Sequence, residues 1–190
     1  MFEGSTGSAG TFNTLSRLTN STLFDLEATG GDIWQGSDRG YFAYRNVTGN
    51  FEISASMTIT GSGDGWAKVG LMVRESINHK AINIFASYAD SHGSTVQKRL
   101  NNTCADDDNS CTTSISDSNR SNRFAKLIRS GNKITAFKSA NGYDWEYVDE
   151  TNVSALGGDV LVGFAATSHN SSNRQFVIEE IKFTSDVSLY

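Results

Sequence analysis

Phe51, Ile53, Ala55, Met57 and Ile59 alternate with Glu52, Ser54, Ser56, Thr58 and Thr60. A period of two puts one face of a strand in a core and the other in water. Similar short runs recur at 22–28, 41–47, 80–88, 94–100, 123–129, 133–139, 145–150, 159–168 and 174–184. Turn signals separate them: Gly30-Gly31, Thr48-Gly49-Asn50, Gly61-Ser62-Gly63, Ser130-Gly131-Asn132, Asn141-Gly142 and Gly157-Gly158. Asn141-Gly142 is the strongest, since both residues accept the positive φ of a type I′ hairpin turn. No segment carries a helical stripe over three turns. The pattern predicts an all-β chain of about a dozen short strands in two packed antiparallel sheets.

One strand departs from the rule that a solvated face shows Ser, Thr or Glu. In Trp66-Ala-Lys-Val-Gly-Leu-Met-Val-Arg-Glu-Ser76, Ala67, Val69, Leu71 and Val73 make an apolar face. Trp66, Lys68, Gly70, Met72 and Arg74 make the other. An aromatic, two cations, a glycine and a methionine suit a shallow surface on which something flat and polar lies.

Length and charge narrow the function classes. A chain of 190 residues is large enough for one domain with a sizeable core. No run approaches the roughly 20 apolar residues of a membrane span. The formal charge of −5 argues against general nucleic-acid binding, which needs clustered Lys and Arg. The Gly- and Ser-rich residues 1–12 read as a flexible lead-in, and 13–190 as a single domain. Met1-Phe2-Glu3-Gly4 has neither the basic start nor the apolar stretch of a secretory leader. Six Asn-x-Ser/Thr sequons, at Asn20, Asn46, Asn101, Asn119, Asn152 and Asn170, read as by-products of composition.

Cys104 and Cys111 enclose Ala-Asp-Asp-Asp-Asn-Ser in a segment that reads as a loop between strands. A zinc site wants four ligands, and no Cys or His lies close in sequence. The spacing is also wrong for a thioredoxin-like pair. A disulfide at a hairpin tip is therefore expected, the competing reading being two buried thiols. A disulfide places the protein outside the reducing cytosol, secreted or at a cell surface.

Five segments in order carry a family resemblance: Gly31-Asp-Ile-Trp34, Trp66 to Ser76, Lys126-Leu-Ile-Arg-Ser-Gly-Asn132, Ser139-Ala-Asn-Gly-Tyr-Asp-Trp145 and Val162-Gly-Phe-Ala-Ala-Thr-Ser-His-Asn170. Over roughly residues 22 to 184 the chain resembles concanavalin A-like domains of the DUF1349 type, which are appended to secreted bacterial proteins. The resemblance implies a jelly-roll sandwich with neighbouring domains in a larger protein. It implies little about ligand, and the Cys104–Cys111 insertion departs from the pattern.

On that fold, Gly163, Ala165, Thr167 and His169 are expected beside Lys68, Gly70 and Met72 on a concave sheet, with His169 near Arg74. A sugar-binding groove follows: Trp66 or Tyr44 stacks on a pyranose while Lys68, Arg74, His169 and Asn170 bond its hydroxyls. Charged donors favour acidic or heavily hydroxylated sugars, and Arg74→Ala is expected to abolish binding with the melting temperature unchanged. The competing reading makes Trp34 and Trp66 packing residues and pairs Lys68 and Arg74 with acids on neighbouring strands. Jelly-roll modules often hold a structural Ca²⁺ on carboxylates and carbonyls. Asp32 and Asp38, flanking a Gly-containing turn, are the candidate ligands, whereas Asp106 to Asp108 lack EF-hand spacing and read as a solvated loop.

Catalysis is not expected. A glucanase on this fold needs two carboxylates reaching one scissile bond. Asp144-Trp-Glu146-Tyr-Val-Asp149 has the wrong residue types, and Glu179-Glu180 points to opposite faces. His79, His92 and His169 lie outside any nucleophile-elbow context. The leading expectation is a non-catalytic module binding a polysaccharide or glycan. A structural or adhesion spacer without sugar binding is the alternative, with a hydrolase-related domain third.

Overall fold

The computed structural model describes residues 23–185; the lead-in expected at 1–12 lies outside them. Fourteen strands follow one another: β1 (Leu23–Gly30), β2 (Asp32–Trp34), β3 (Ser37–Arg39), β4 (Tyr41–Thr48), β5 (Phe51–Thr60), β6 (Lys68–Arg74), β7 (Asn83–Ala89), β8 (Gly93–Arg99), β9 (Thr112–Asp117), β10 (Phe124–Ser130), β11 (Lys133–Ser139), β12 (Glu146–Asn152), β13 (Asp159–Thr167) and β14 (Asn170–Ser185). Two single-turn 3₁₀ helices, Asn109–Cys111 and Ser154–Leu156, are the helices among the described residues. One sheet runs β1-β14-β5-β10-β11-β12 and the other β4-β13-β6-β7-β8-β9, with all pairings antiparallel. The fold is the two-sheet antiparallel sandwich that the alternation predicts, in the jelly-roll form that the resemblance implies.

The apolar sets meet between the sheets. Phe51, Ile53, Ala55 and Met57 of β5 face Val69, Leu71 and Val73 of β6 across a core that includes Phe24, Phe164, Phe176 and Ile178. The polar tract Thr112–Asp117, which lies outside the runs that alternation picks out, is edge strand β9. An edge strand has one pairing partner and exposed faces, so it tolerates polar residues at nearly every position. Asn141-Gly142 does not form the two-residue turn. Six residues, 140–145, connect β11 to β12, with the Asn141 carboxamide oxygen accepting from the Tyr143 and Asp144 amides.

The larger correction concerns β6. Its seven residues are all buried, on both faces. The short hairpin β2–β3 lies over the outer face, placing Ile33 in a second small cluster with Phe42, Met72, Phe85, Leu161 and Ala165. Asp38, on β3, anchors the hairpin: its carboxylate meets Arg99 at 2.6 Å and Arg74 at 3.0 Å, with all three side chains at most 3 % exposed. Both arginines also donate to backbone carbonyls, Arg74 to Ser76 and Arg99 to Ala81, Gln35 and His79. Burial works against the charged Arg74 guanidinium, and Asp38 opposes that effect. Arg74 is thus an internal anchor for the hairpin rather than a surface donor.

Candidate functional site

The hairpin covers the Arg74 end of β6 fully, while at the other end Lys68, though buried against Asp32, borders open space. There the outer face of the second sheet forms a cleft of about 400 Å³ lined by Asp32, Trp34, Trp66, Lys68, Thr95, Gln97, Ser114, Ser116 and His169. Registry builds its floor. Gly70, Ser87, Thr95 and Ser116 lie in one cross-strand row, and Met72, Phe85, Gln97 and Ser114 in the next. Alternation sends these side chains outward, so the sequence Ser-Thr-Val-Gln of β8 presents Thr95 and Gln97 to the cleft while Val96 enters the core. Gln97 is 4 % exposed, and its Oε1 accepts no hydrogen bond from any described residue.

Two tryptophans form the walls. Trp66 lies near the end of the β5–β6 loop, 42 % exposed, with one ring face stacked on His92 at 3.5 Å between centroids. Its amide donates to the Asp64 carboxylate at 2.7 Å, and that bond holds the Asp64 carboxyl below its ordinary range. Trp34 ends β2. Its indole N–H donates to Asn109 Oδ1 at 3.2 Å, across a sequence separation of 75. Asn109 belongs to the loop closed by the Cys104–Cys111 disulfide, whose Cα atoms are 6.2 Å apart. This loop packs directly on the hairpin turn: a Cβ on Gly36 would lie 1.9 Å from the Ala105 carbonyl oxygen, so only glycine permits the approach.

The titratable groups of the cleft are matched to one another. Lys68, 3 % exposed, meets Asp32 at 2.7 Å. His169, held at φ 61° in the left-handed region, places Nε2 3.3 Å from Asp32 and Nδ1 3.2 Å from Asp64. Antiparallel pairing explains its position: Thr167 lies opposite Lys68 and Leu161 opposite Arg74, so the chain beyond β13 reaches the Lys68 end. His169 near Arg74 was the wrong end of the strand.

Of the residues singled out in the sequence, Trp66, Lys68 and His169 come together. Tyr44 does not line the cleft; it stacks on Phe42 at 5.2 Å, beside the hairpin cluster. Asn170 spends its carboxamide oxygen on the Ser172 amide and the Ser168 hydroxyl. Asp32 and Asp38 project to opposite faces of the hairpin, one toward Lys68 and His169, the other toward two arginines. They do not converge on one cation, and no group of three or more potential metal-ligating side chains occurs among the described residues. Trp34, Thr95, Gln97, Ser114 and Ser116 were missed as cleft residues. The outward positions of β8 carried a readable signal, while Trp34 depended on a contact with the distant Asn109.

No protein-family model and no curated protein sequence matches the chain. Among solved structures it is similar to a functionally unknown protein from Saccharomyces cerevisiae (TM-score 0.69, 14 % identity, covering 93 % of this chain and 96 % of that one). A legume lectin-like domain from Entamoeba histolytica is similar over 86 % and 90 % of the two chains (TM-score 0.52, 14 % identity). A GH43 protein from Bacillus licheniformis matches 86 % of this chain with only 33 % of its own length (TM-score 0.61, 15 % identity). At these identities the likeness is one of fold: the chain shares the two-sheet antiparallel β-sandwich of these structures.

Proposed function

We propose that the protein is a non-catalytic carbohydrate-binding domain whose cleft holds a glycan between Trp34 and Trp66. The observation that carries the reading is the pairing of two indole walls with a floor of Thr95, Gln97, Ser114 and Ser116. Indole faces complement the apolar C–H faces of a pyranose, and closely spaced hydroxyls and amides complement its edges. Ser114 and Ser116 lie on edge strand β9 and are exposed, so a polymer can continue past the sheet edge. The mutual pairing of Lys68, Asp32, His169 and Asp64 favours binding over acid–base chemistry. Of the carboxylates weighed for catalysis, Glu146, Asp149, Glu179 and Glu180 belong to strands of the opposite sheet and Asp144 to the connection before β12.

The wider setting belongs to the same proposal: a DUF1349-type accessory module of a secreted or cell-surface bacterial protein. The disulfide is compatible with an extracellular location. No helix is long and apolar enough to cross a membrane among the described residues. The match to a third of a GH43 chain fits a module within something larger. A spacer or adhesion domain is the second reading, favoured by the loss of Arg74 from the accessible surface. A polysaccharide pull-down and glycan-array screen, run with and without Ca²⁺, separates the two. Binding that Trp66→Ala and Trp34→Ala each weaken about tenfold or more, at unchanged melting temperature, supports the cleft. Absence of binding to every glycan leaves the spacer reading.

A further inference from the structure

Resting on the glycan-binding reading, the charge pairing within the cleft carries it one step further. The outer face of β6 offers two cations in sequence, and both are spent. Arg74 is 1 % exposed and turned onto Asp38 beneath the hairpin. Lys68 is 3 % exposed and held 2.7 Å from Asp32. The titratable groups that line the cleft and remain partly open are Asp32 at 30 % and His169 at 29 %, with Asp64, 37 % exposed, behind the imidazole and outside the lining.

Asp32, Asp64 and Lys68 together carry one net negative charge. Protonation of His169 raises that to zero, so this group of four, with Asp64 3.2 Å from the imidazole, does not become cationic in either state. A ligand entering the cleft meets two indoles, neutral hydroxyls, an amide, the His169 imidazole and the Asp32 carboxylate, which can only accept, while the Lys68 ammonium is buried and already paired with Asp32. Hydroxyl groups satisfy that acceptor. A uronate or sulfate cannot, and places like charge beside Asp32, whose one lysine partner is already spent on it.

We infer that the cleft selects uncharged glycans and rejects uronic-acid and sulfated ones, against the expectation raised by two cations on one strand. Asp32 acts as the acceptor for sugar hydroxyls, Lys68 positions Asp32, and Asp64 adds negative charge from behind His169.

Matched oligosaccharide pairs test this by calorimetry on the full chain: galactose and galacturonate oligomers, and mannose and mannuronate oligomers, each pair differing at C6. Measurement at about 0.15 M salt screens the overall charge of −5 beyond roughly 8 Å. The inference expects at least tenfold weaker binding of the uronate member of any pair that binds. Asp64→Asn keeps an oxygen acceptor for the Trp66 amide while removing one charge, and should narrow that gap several-fold. Equal or tighter uronate binding, abolished by Trp66→Ala, overturns the inference and leaves the glycan reading standing. Failure of every oligomer, neutral or charged, to bind the wild-type chain overturns both.

Discussion

The two tryptophan walls of the cleft are built in different ways. The Trp66 wall grows out of the sandwich itself. Arg174 of β14 donates to the carbonyls of Thr60, Gly61 and Asp64, pairs with Asp90 at 2.6 Å, and so ties the β5–β6 loop to the strands around it. The Ser91 amide donates to the Gly65 carbonyl, and His92 backs the indole. The Trp34 wall stands on a three-residue strand that belongs to neither large sheet. It is held from below by Asp38 and its two arginines, and from the side by Asn109 of the disulfide loop and Thr112 at the start of β9. One wall inherits the stability of the fold. The other has two dedicated supports, one electrostatic and one covalent, and each can be removed separately.

The largest effect is expected at the electrostatic support. Asp38→Asn leaves two buried arginines without their counter-charge, a loss that typically costs about 3–5 kcal/mol. At roughly 2–4 °C per kcal/mol for a chain of this size, the melting temperature should fall by about 10 °C. Arg74→Ala should also lower it, by less, because Arg99 still neutralises Asp38. An unchanged melting temperature in both variants would show that the hairpin is not anchored this way. The covalent support comes next. Closing so short a loop contributes on the order of 2–3 kcal/mol at most by restricting the unfolded chain. Cys104→Ser with Cys111→Ser should therefore leave the fold intact and weaken glycan binding several-fold, comparably to Asn109→Ala. Equal affinity before and after reduction would detach the Trp34 wall from the disulfide.

Smaller effects are expected on the Trp66 wall. His92→Ala removes the ring behind the indole and should weaken binding a few-fold without moving the melting temperature, while His92→Phe should restore it. A melting-temperature loss in His92→Ala instead makes the stack a structural contact. The Asp64 carboxyl is held low chiefly by the Trp66 amide. A depressed folded-state value means that its contribution is complete above the ordinary carboxylate value of 3.8 and is lost as pH falls through the lower folded value. Affinity should thus be insensitive to this group from neutrality down to about pH 4 and drop below it. In Asp64→Asn that acid step should vanish.

Most of the sandwich was legible because its strands are long enough to show a period. Phe51–Thr60 and Asp159–Thr167 display four or five inward positions each. The strands β2 and β3 have three residues apiece, too few to repeat anything, and the cleft depends on where their hairpin folds. The alternation of Lys68 and Arg74 correctly put both on one face of β6. It could not say that a flap fastened by Asp38 would cover one and leave the other at a cleft edge. Asp32, read as a calcium ligand, has the chemistry assigned to it but spends it on Lys68 and His169. Charge type was readable from composition along the strand. Charge pairing was not, because the partners lie more than thirty residues away.

The chain has three tryptophans, and their placement gives the most direct test. Trp34 and Trp66 line the cleft, while Trp145 lies under Lys126 on the opposite sheet, 4.4 Å from the ammonium nitrogen to the ring centroid. Intrinsic fluorescence should be titrated with the neutral galactose and mannose oligomers in Trp145→Phe and in Trp34→Phe with Trp66→Phe. A saturable emission change in the first variant, absent from the second, is the predicted result. A change that persists when only Trp145 remains, or glycan binding that leaves the two cleft tryptophans silent, would contradict the site proposed between them.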